Sequence, residues 1–305
     1  MKKEHIKIKS NSDGLLLDVF YIEPENDIKG IIQISHGMAE NKERYIPFME
    51  YLSQKGFVTI IHDHRGHGRS VKEKNDLGYF YEEKAEYVVE DLYQITEYIK
   101  QKYPNKKIIL LGHSMGSMIV RKYIKKYDDK IDGLIVCGSP SRNTLAGFAI
   151  FLSKILKIIQ GEHHRSQLLQ KLAFGNYHKS FKEQNSKNRW ICSDEKVVSN
   201  YDKSELCGFT FTINGFINLF TLMKDIYSKK NWNVKNKKLP IFFIAGSDDP
   251  VIINKEKWME SQEFLKKLGY EDIENNLYKN LRHEILNEKQ KSDVWKDVYE
   301  WIEKI

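Results

Sequence analysis

Five short apolar runs punctuate the chain: IIQIS at 31–35, FVTII at 57–61, IILLG at 108–112, GLIVCG at 133–138 and IFFIAG at 241–246. They are rich in β-branched and aromatic residues, and each ends near a glycine. Runs that are apolar on both faces predict central strands of a parallel sheet covered on both sides. Helical patterns fill the gaps. ERYIPFMEYLSQKG, 43–56, stops at a glycine. EYVVEDLYQITEYIKQKY, 86–103, is apolar at 88, 89, 92, 95, 98 and 99 and halts before Pro104, a residue that disfavours helix in its predecessor. SMIVRKYIKKY, 117–127, completes the set. Strand alternating with helix predicts an α/β fold, a mostly parallel sheet flanked by helices, with ligands at the carboxyl ends of the strands.

The alternation breaks after Gly138 and resumes at Pro240. The expected organisation is a core of residues 1–140 and 239–305, with 141–238 inserted as a mainly helical cap. LAGFAIFLSKILKII, 145–159, is apolar at 145, 148, 151, 152, 155, 158 and 159, and GFTFTINGFINLFTLM, 208–223, is rich in aromatics. Some of these residues form the cap's own small core. A cap of this size has too little interior for all of them, so the remainder is expected to face an apolar ligand or a membrane surface.

Composition narrows the classes. With 305 residues, 41% of them hydrophobic, the chain can bury a large core, which excludes global disorder. No apolar run is long enough to cross a bilayer, and MKKEHIKIKSNSDG lacks the apolar centre of a signal peptide. Cys137, Cys192 and Cys207 have no metal-binding spacing and are odd in number, so a reducing cytoplasm is the expected compartment. The net charge of +7 concentrates in residues 141–238, with 17 Lys and Arg against 7 Asp and Glu. Such an excess suits anionic headgroups, or a solvated lysine-rich face. Without a nucleic-acid motif, no nucleic-acid partner is expected.

GHSMG, 112–116, lies between the apolar run IILL and the helical MIVRKYI. A G-x-S-x-G at a strand-to-helix junction makes a turn so tight that side chains two residues either side of the serine would strike neighbouring backbone. Ser114 is thereby raised above the sheet as a candidate nucleophile. The N–H of Met115, opening the next helix, points where an oxyanion would form.

On these residues, together with HGMAENKERY at 36–45, DHRGHGRS at 63–70, GSDDPV at 246–251 and RHEIL at 282–286, the chain resembles α/β-hydrolase-fold serine hydrolases, more narrowly the monoacylglycerol lipases and lysophospholipases. The resemblance covers the core; in the cap it rests chiefly on CGFTFT at 207–212. It implies the order nucleophile, acid, histidine. Histidines 163, 164, 178 and 283 follow Ser114. The first three fall in the cap, which leaves His283, expected to open a helix, as general base. The family pattern puts the acid at Asp249, with Asp248 as a rival able to cap the turn instead. By the same resemblance Met38 N–H is the second oxyanion donor, and Glu40, Arg44 and His113 border a polar pocket for the glycerol or headgroup end. Glu40 and Arg44, four apart, also suit a structural ion pair beside a packed histidine. The implied activity is hydrolysis of lipid-like carboxylic esters through an acyl-enzyme, without cofactor or metal. The alternatives are a short-chain carboxylesterase, a non-catalytic lipid-binding module, and a metal-dependent hydrolase using His62, His64 and His67. Against the last, Gly66 stands where a metal hydrolase of that spacing has an aspartate. In the ester-hydrolase reading these histidines are structural, with Asp63 and Arg65 anchoring their loop. A peptidase is disfavoured because no acidic pocket for an amino terminus stands out. The partners expected are a small lipid ester and, transiently, a membrane surface met through the cap.

Overall fold

In the computed structural model of the chain, residues 1–175, 177–181 and 185–305 are described, without the side chains of 178 and 179; the His178 imidazole therefore lies outside the description. Strands β1 (Lys2–Lys9) and β2 (Leu16–Glu23) come first, followed by β3 (Gly30–Ser35), helix α1 (Ile46–Gln54), β4 (Phe57–His62), α2 (Glu86–Lys102), β5 (Lys107–His113), α3 (Met115–Tyr127) and β6 (Gly133–Cys137). The chain then leaves the sheet for α4 (Ala146–Gln160), α5 (Gln167–Phe174), α6 (Glu195–Lys203) and α7 (Ile213–Asp225). It returns as β7 (Ile241–Gly246), α8 (Lys255–Leu268), β8 (Ile273–Tyr278) and α9 (Lys291–Ile302).

Among the described residues these strands form one sheet in the order β1-β2-β4-β3-β5-β6-β7-β8. From β4 to β8 all pairings are parallel, while β1 and β2 are antiparallel. The five apolar runs are its centre. The pattern did not disclose β1, β2 and β8. KKEHIKIK and IENNLY are polar because they are the sheet's two edges, where charged side chains discourage pairing with another chain. Apolar side chains from α2, α3, α7 and α8 cover one face of the sheet, and those from α1 and α9 the other.

The excursion between β6 and β7 divides by burial. In α7, Phe216, Leu219 and Phe220 are buried in the main core, so this stretch extends that core instead of forming a separate small one. Helix α4 turns Ala146, Ala149 and Ser153 inward and leaves Phe148 60%, Phe151 61%, Ile158 86% and Ile159 72% exposed. Leu168 and Leu172 of α5 are also exposed. Among the described residues no helix is long and apolar enough to cross a membrane.

Candidate active site

The register of the central strands brings the chemistry to one edge. Ser35 of β3 pairs with Gly112 of β5, and His113 pairs with Cys137 of β6. Ser114 follows at once with φ 54° and ψ −116°, a conformation that L-residues avoid. The flanking glycines make the turn possible. A Cβ on Gly112 would lie 2.4 Å from Gly116 O, and one on Gly116 would lie 2.0 Å from Ser35 O and 2.6 Å from His36 O.

His283 stands across the cavity from this turn, in a loop of turns and not at a helix start; α9 begins only at Lys291. Its Nδ1 lies 2.9 Å from Asp249 Oδ2. The carboxylate can only accept, so Nδ1 carries the proton, and in the neutral ring Nε2 is then the nitrogen with the lone pair. Asp249 is buried and also accepts the Val251 N–H through Oδ1 at 2.8 Å, so it caps the turn as well as orienting the ring. Asp248 is exposed and accepts from the Ser247 hydroxyl. Ser114 and His283 line the same cavity of about 520 Å³. Among the described residues the Ser114 hydroxyl makes no hydrogen bond, to His283 included; in ligand-free sites such contacts are often long and tighten with substrate. The N–H groups of Met38 and Met115 donate to no other described group.

The turn carrying Met38 is held from all sides. Ala39 has φ 50°. Its N–H donates to His67 Nε2 at 3.2 Å, and its carbonyl accepts from Gly208 N–H at 2.8 Å and from the Tyr201 hydroxyl at 2.9 Å. Glu40 Oε1 accepts the Gly37 N–H at 2.5 Å and the Tyr45 hydroxyl at 2.9 Å, while Arg44 donates to Oε2 at 2.5 Å. Burial pushes the Glu40 carboxyl up, but the charges of Arg44 and His113 outweigh it and hold the group well below the usual carboxylate range. For His113, burial favours the neutral ring, yet the hydrogen bond and charge of Glu40, with Glu284, leave it raised.

Glu40 and His113 line the cavity. Arg44 does not. Its guanidinium lies behind the wall, engaged with Glu40 and with Glu284 at 2.6 Å. Sequence reasoning missed Glu284 and Tyr201. The first stands beside His283 in RHEIL, a signal that was available; the second carries none, because only the fold brings α6 to the turn at 39.

His62, His64 and His67 are buried with His36. Desolvation pushes His62 and His67 down to about 3. His64 Nε2 is bonded to the Ser35 hydroxyl and His67 Nε2 to the Ala39 N–H. Among the described residues no His, Cys, Asp or Glu cluster has metal-holding geometry. Asp63 anchors this loop by accepting from the Lys42 and Arg69 N–H groups. Arg65 does so by donating to Asp91 and Asp13.

A serine raised on a strained turn at the carboxyl end of a central parallel strand, facing an Asp–His pair, is how α/β-hydrolase-fold serine hydrolases present their reacting groups, and this chain is of that class. Within it, the chain belongs to the serine aminopeptidase S33 family (Hydrolase_4), whose model matches residues 26–290. A monoacylglycerol lipase of Mycolicibacterium smegmatis is 25% identical over 282 residues, 92% of this chain and 90% of that one. A thermostable carboxyl esterase from Bacillus coagulans, solved with glycerol, superposes with a TM-score of 0.90 at 24% identity over 100% of this chain and 99% of its own. A soluble variant of the Saccharomyces cerevisiae monoglyceride lipase, solved with a substrate analogue, reaches 0.78 at 20% identity over 100% and 95%. At these identities the two structures speak for the fold.

Proposed function

We propose that the protein hydrolyses carboxylic esters of lipid type, monoacylglycerols foremost, through an acyl-enzyme on Ser114. The observation that carries this reading is Ser114 on its strained turn in one cavity with His283, whose ring is bonded to Asp249. The Ser114 hydroxyl attacks the ester carbonyl as His283 Nε2 takes its proton. Asp249 holds the ring and stabilises the imidazolium. The N–H groups of Met38 and Met115 receive the oxyanion. The alcohol departs with the proton from His283, and water, activated by the same base, releases the acid.

The cavity suits an ester with one apolar and one polar end. Phe174, Trp190 and Phe209 offer apolar wall, and Glu40, His113 and Glu284 a polar one. Both carboxylates are already paired, with Arg44 and His113, so neither is free to bind the ammonium of a peptide amino terminus. This favours an uncharged polyol such as glycerol, the molecule found with the Bacillus coagulans neighbour. Lys171 and Lys187, also on the cavity wall, support a second reading in which the leaving alcohol carries a phosphate, as in lysophospholipids. Residues 141–238 act as the cap, and the apolar face of α4 and α5 rests transiently on the lipid surface from which substrate comes.

The test is a panel of p-nitrophenyl esters and monoacylglycerols of rising chain length, run on wild type and Ser114→Ala, with a phosphonate probe and a chelator. Cleavage that disappears in Ser114→Ala and on phosphonate labelling, and withstands the chelator, supports the proposal. Sensitivity to chelator alone transfers the chemistry to the histidine cluster. Tight lipid binding with no ester cleaved makes the protein a binding module.

A further inference from the structure

Arg44 stands at the meeting point of three segments distant in sequence. Its side chain is 13% exposed and lies outside the cavity lining. One edge of the guanidinium meets Glu40 at 2.5 Å. The other grips Glu284 with both terminal nitrogens, Nη1 to Oε1 at 2.6 Å and Nη2 to Oε2. The Tyr201 ring covers its face at 4.9 Å. The two carboxylates lie within two residues of groups assigned to the proposed reaction, Glu40 two from Met38 and Glu284 next to His283. Glu40 closes the turn bearing Met38 through the Gly37 N–H. Glu284 follows His283, and its own N–H is tied to Ile191 O at 2.7 Å. Tyr201 holds the Ala39 carbonyl.

His113 completes the group. Its Nδ1 faces Glu40 Oε1 at 3.4 Å and its Nε2 faces the His283 carbonyl at 3.2 Å. Both are pure acceptors, so the geometry calls for a proton on each nitrogen. Two cations then balance two carboxylates in a dry site, an arrangement retained only where the geometry is well satisfied. Because these charges satisfy one another, they hold backbone in place and do not present an ion to substrate.

Resting on the proposed ester hydrolysis, we infer that Arg44 is a positioning residue: through Glu40 and Glu284 it locks the oxyanion turn to the histidine turn, so that Met38 N–H and His283 keep their places relative to Ser114. Arg44→Ala would leave two buried carboxylates face to face and risks unfolding. The informative variants are therefore Glu284→Gln, which keeps the shape, and Arg44→Lys, which keeps the charge but cannot grip two oxygens in a fork.

Two butyrate esters, p-nitrophenyl butyrate and monobutyrin, separate positioning from headgroup binding, since only the second has a glycerol. Loss of positioning lowers kcat/KM for both by the same factor, on the order of 10²-fold. It also slows deacylation of the butyryl-enzyme common to both, and Arg44→Lys does not rescue. A loss confined to monobutyrin, with p-nitrophenyl butyrate unchanged, overturns the inference in favour of a headgroup contact. Hydrogen exchange tests the lock independently of turnover. In both variants the amides of 37–40 and 282–286 should exchange faster together, and unchanged protection in folded variants also overturns it. Failure of the functional reading looks different: wild type and Ser114→Ala would then cleave neither ester, while the exchange result still decides the lock.

Discussion

Replacing Gly116 by alanine tests the site's geometry at its tightest point. The new methyl carbon would start 2.0 Å from Ser35 O and 2.6 Å from His36 O, both backbone atoms of a central strand end that no rotamer can move. A Cβ contact under 3.0 Å is essentially never observed, so the start of α3 and the end of β3 must separate by at least ~1 Å, a misplacement that costs about 10²-fold in catalysis. That displacement carries Met115 N–H away from Met38 N–H, the two groups proposed above to receive the oxyanion. Forcing a methyl into this packing should also destabilise the fold by about 1–3 kcal/mol. The assay is kcat/KM for p-nitrophenyl butyrate with a thermal melt on the same preparation. Gly147→Ala is the control: its Cβ meets nothing within 4 Å, and removing a helical glycine should stabilise by about 0.5–1 kcal/mol without altering turnover. A Gly116→Ala protein that melts like wild type and keeps more than half its activity would refute the argument that the two strand ends cannot part.

Asp249→Asn should lower kcat by about 10⁴-fold, as loss of the correct imidazole tautomer does in serine hydrolases generally, whereas Asp248→Asn, altering an exposed side chain, should stay within about twofold; equal effects in the ester assay would undo the assignment of the acid. The buried histidines predict an acid-sensitive fold. His62 and His67 are pushed down to about 3, while in the unfolded chain they titrate near ~6.5. Their contribution is fully present above that pH and is lost as pH falls towards 3, at about 1.4 kcal/mol per pH unit for each. Urea unfolding between pH 7 and 5 should approach this slope, and His62→Leu, which removes a ring whose two nitrogens find no partner among the described residues, should flatten it by one proton; an unchanged slope counts against the neutral buried ring. Phe151→Glu with Ile158→Glu should weaken sedimentation with lipid vesicles at least tenfold and leave p-nitrophenyl butyrate turnover within about twofold, and vesicle binding that survives both charges would remove α4 as the lipid-facing element.

Much of this protein is written locally. The five apolar runs marked the central strands because a strand buried on both faces must be apolar along its whole length. GHSMG marked the turn because only glycine tolerates backbone at 2.0–2.4 Å from its missing side chain. Chain order and the family resemblance singled out His283 and Asp249, and the fold places them 2.9 Å apart. The edge strands β1 and β8 escaped the pattern because a solvated edge imposes no apolar code. The charges around Arg44 escaped it for a deeper reason. Sequence showed a local Glu40–Arg44 pair of the i, i+4 kind; it could not show that Glu284, 240 residues on, takes the other edge of the same guanidinium, or that Tyr201 covers its face. Local spacing settles which side chains share a turn of helix or a face of a strand, whereas burial, partner choice and the charge state that follows from them depend on what the rest of the chain packs against, and that is decided only when the sheet closes.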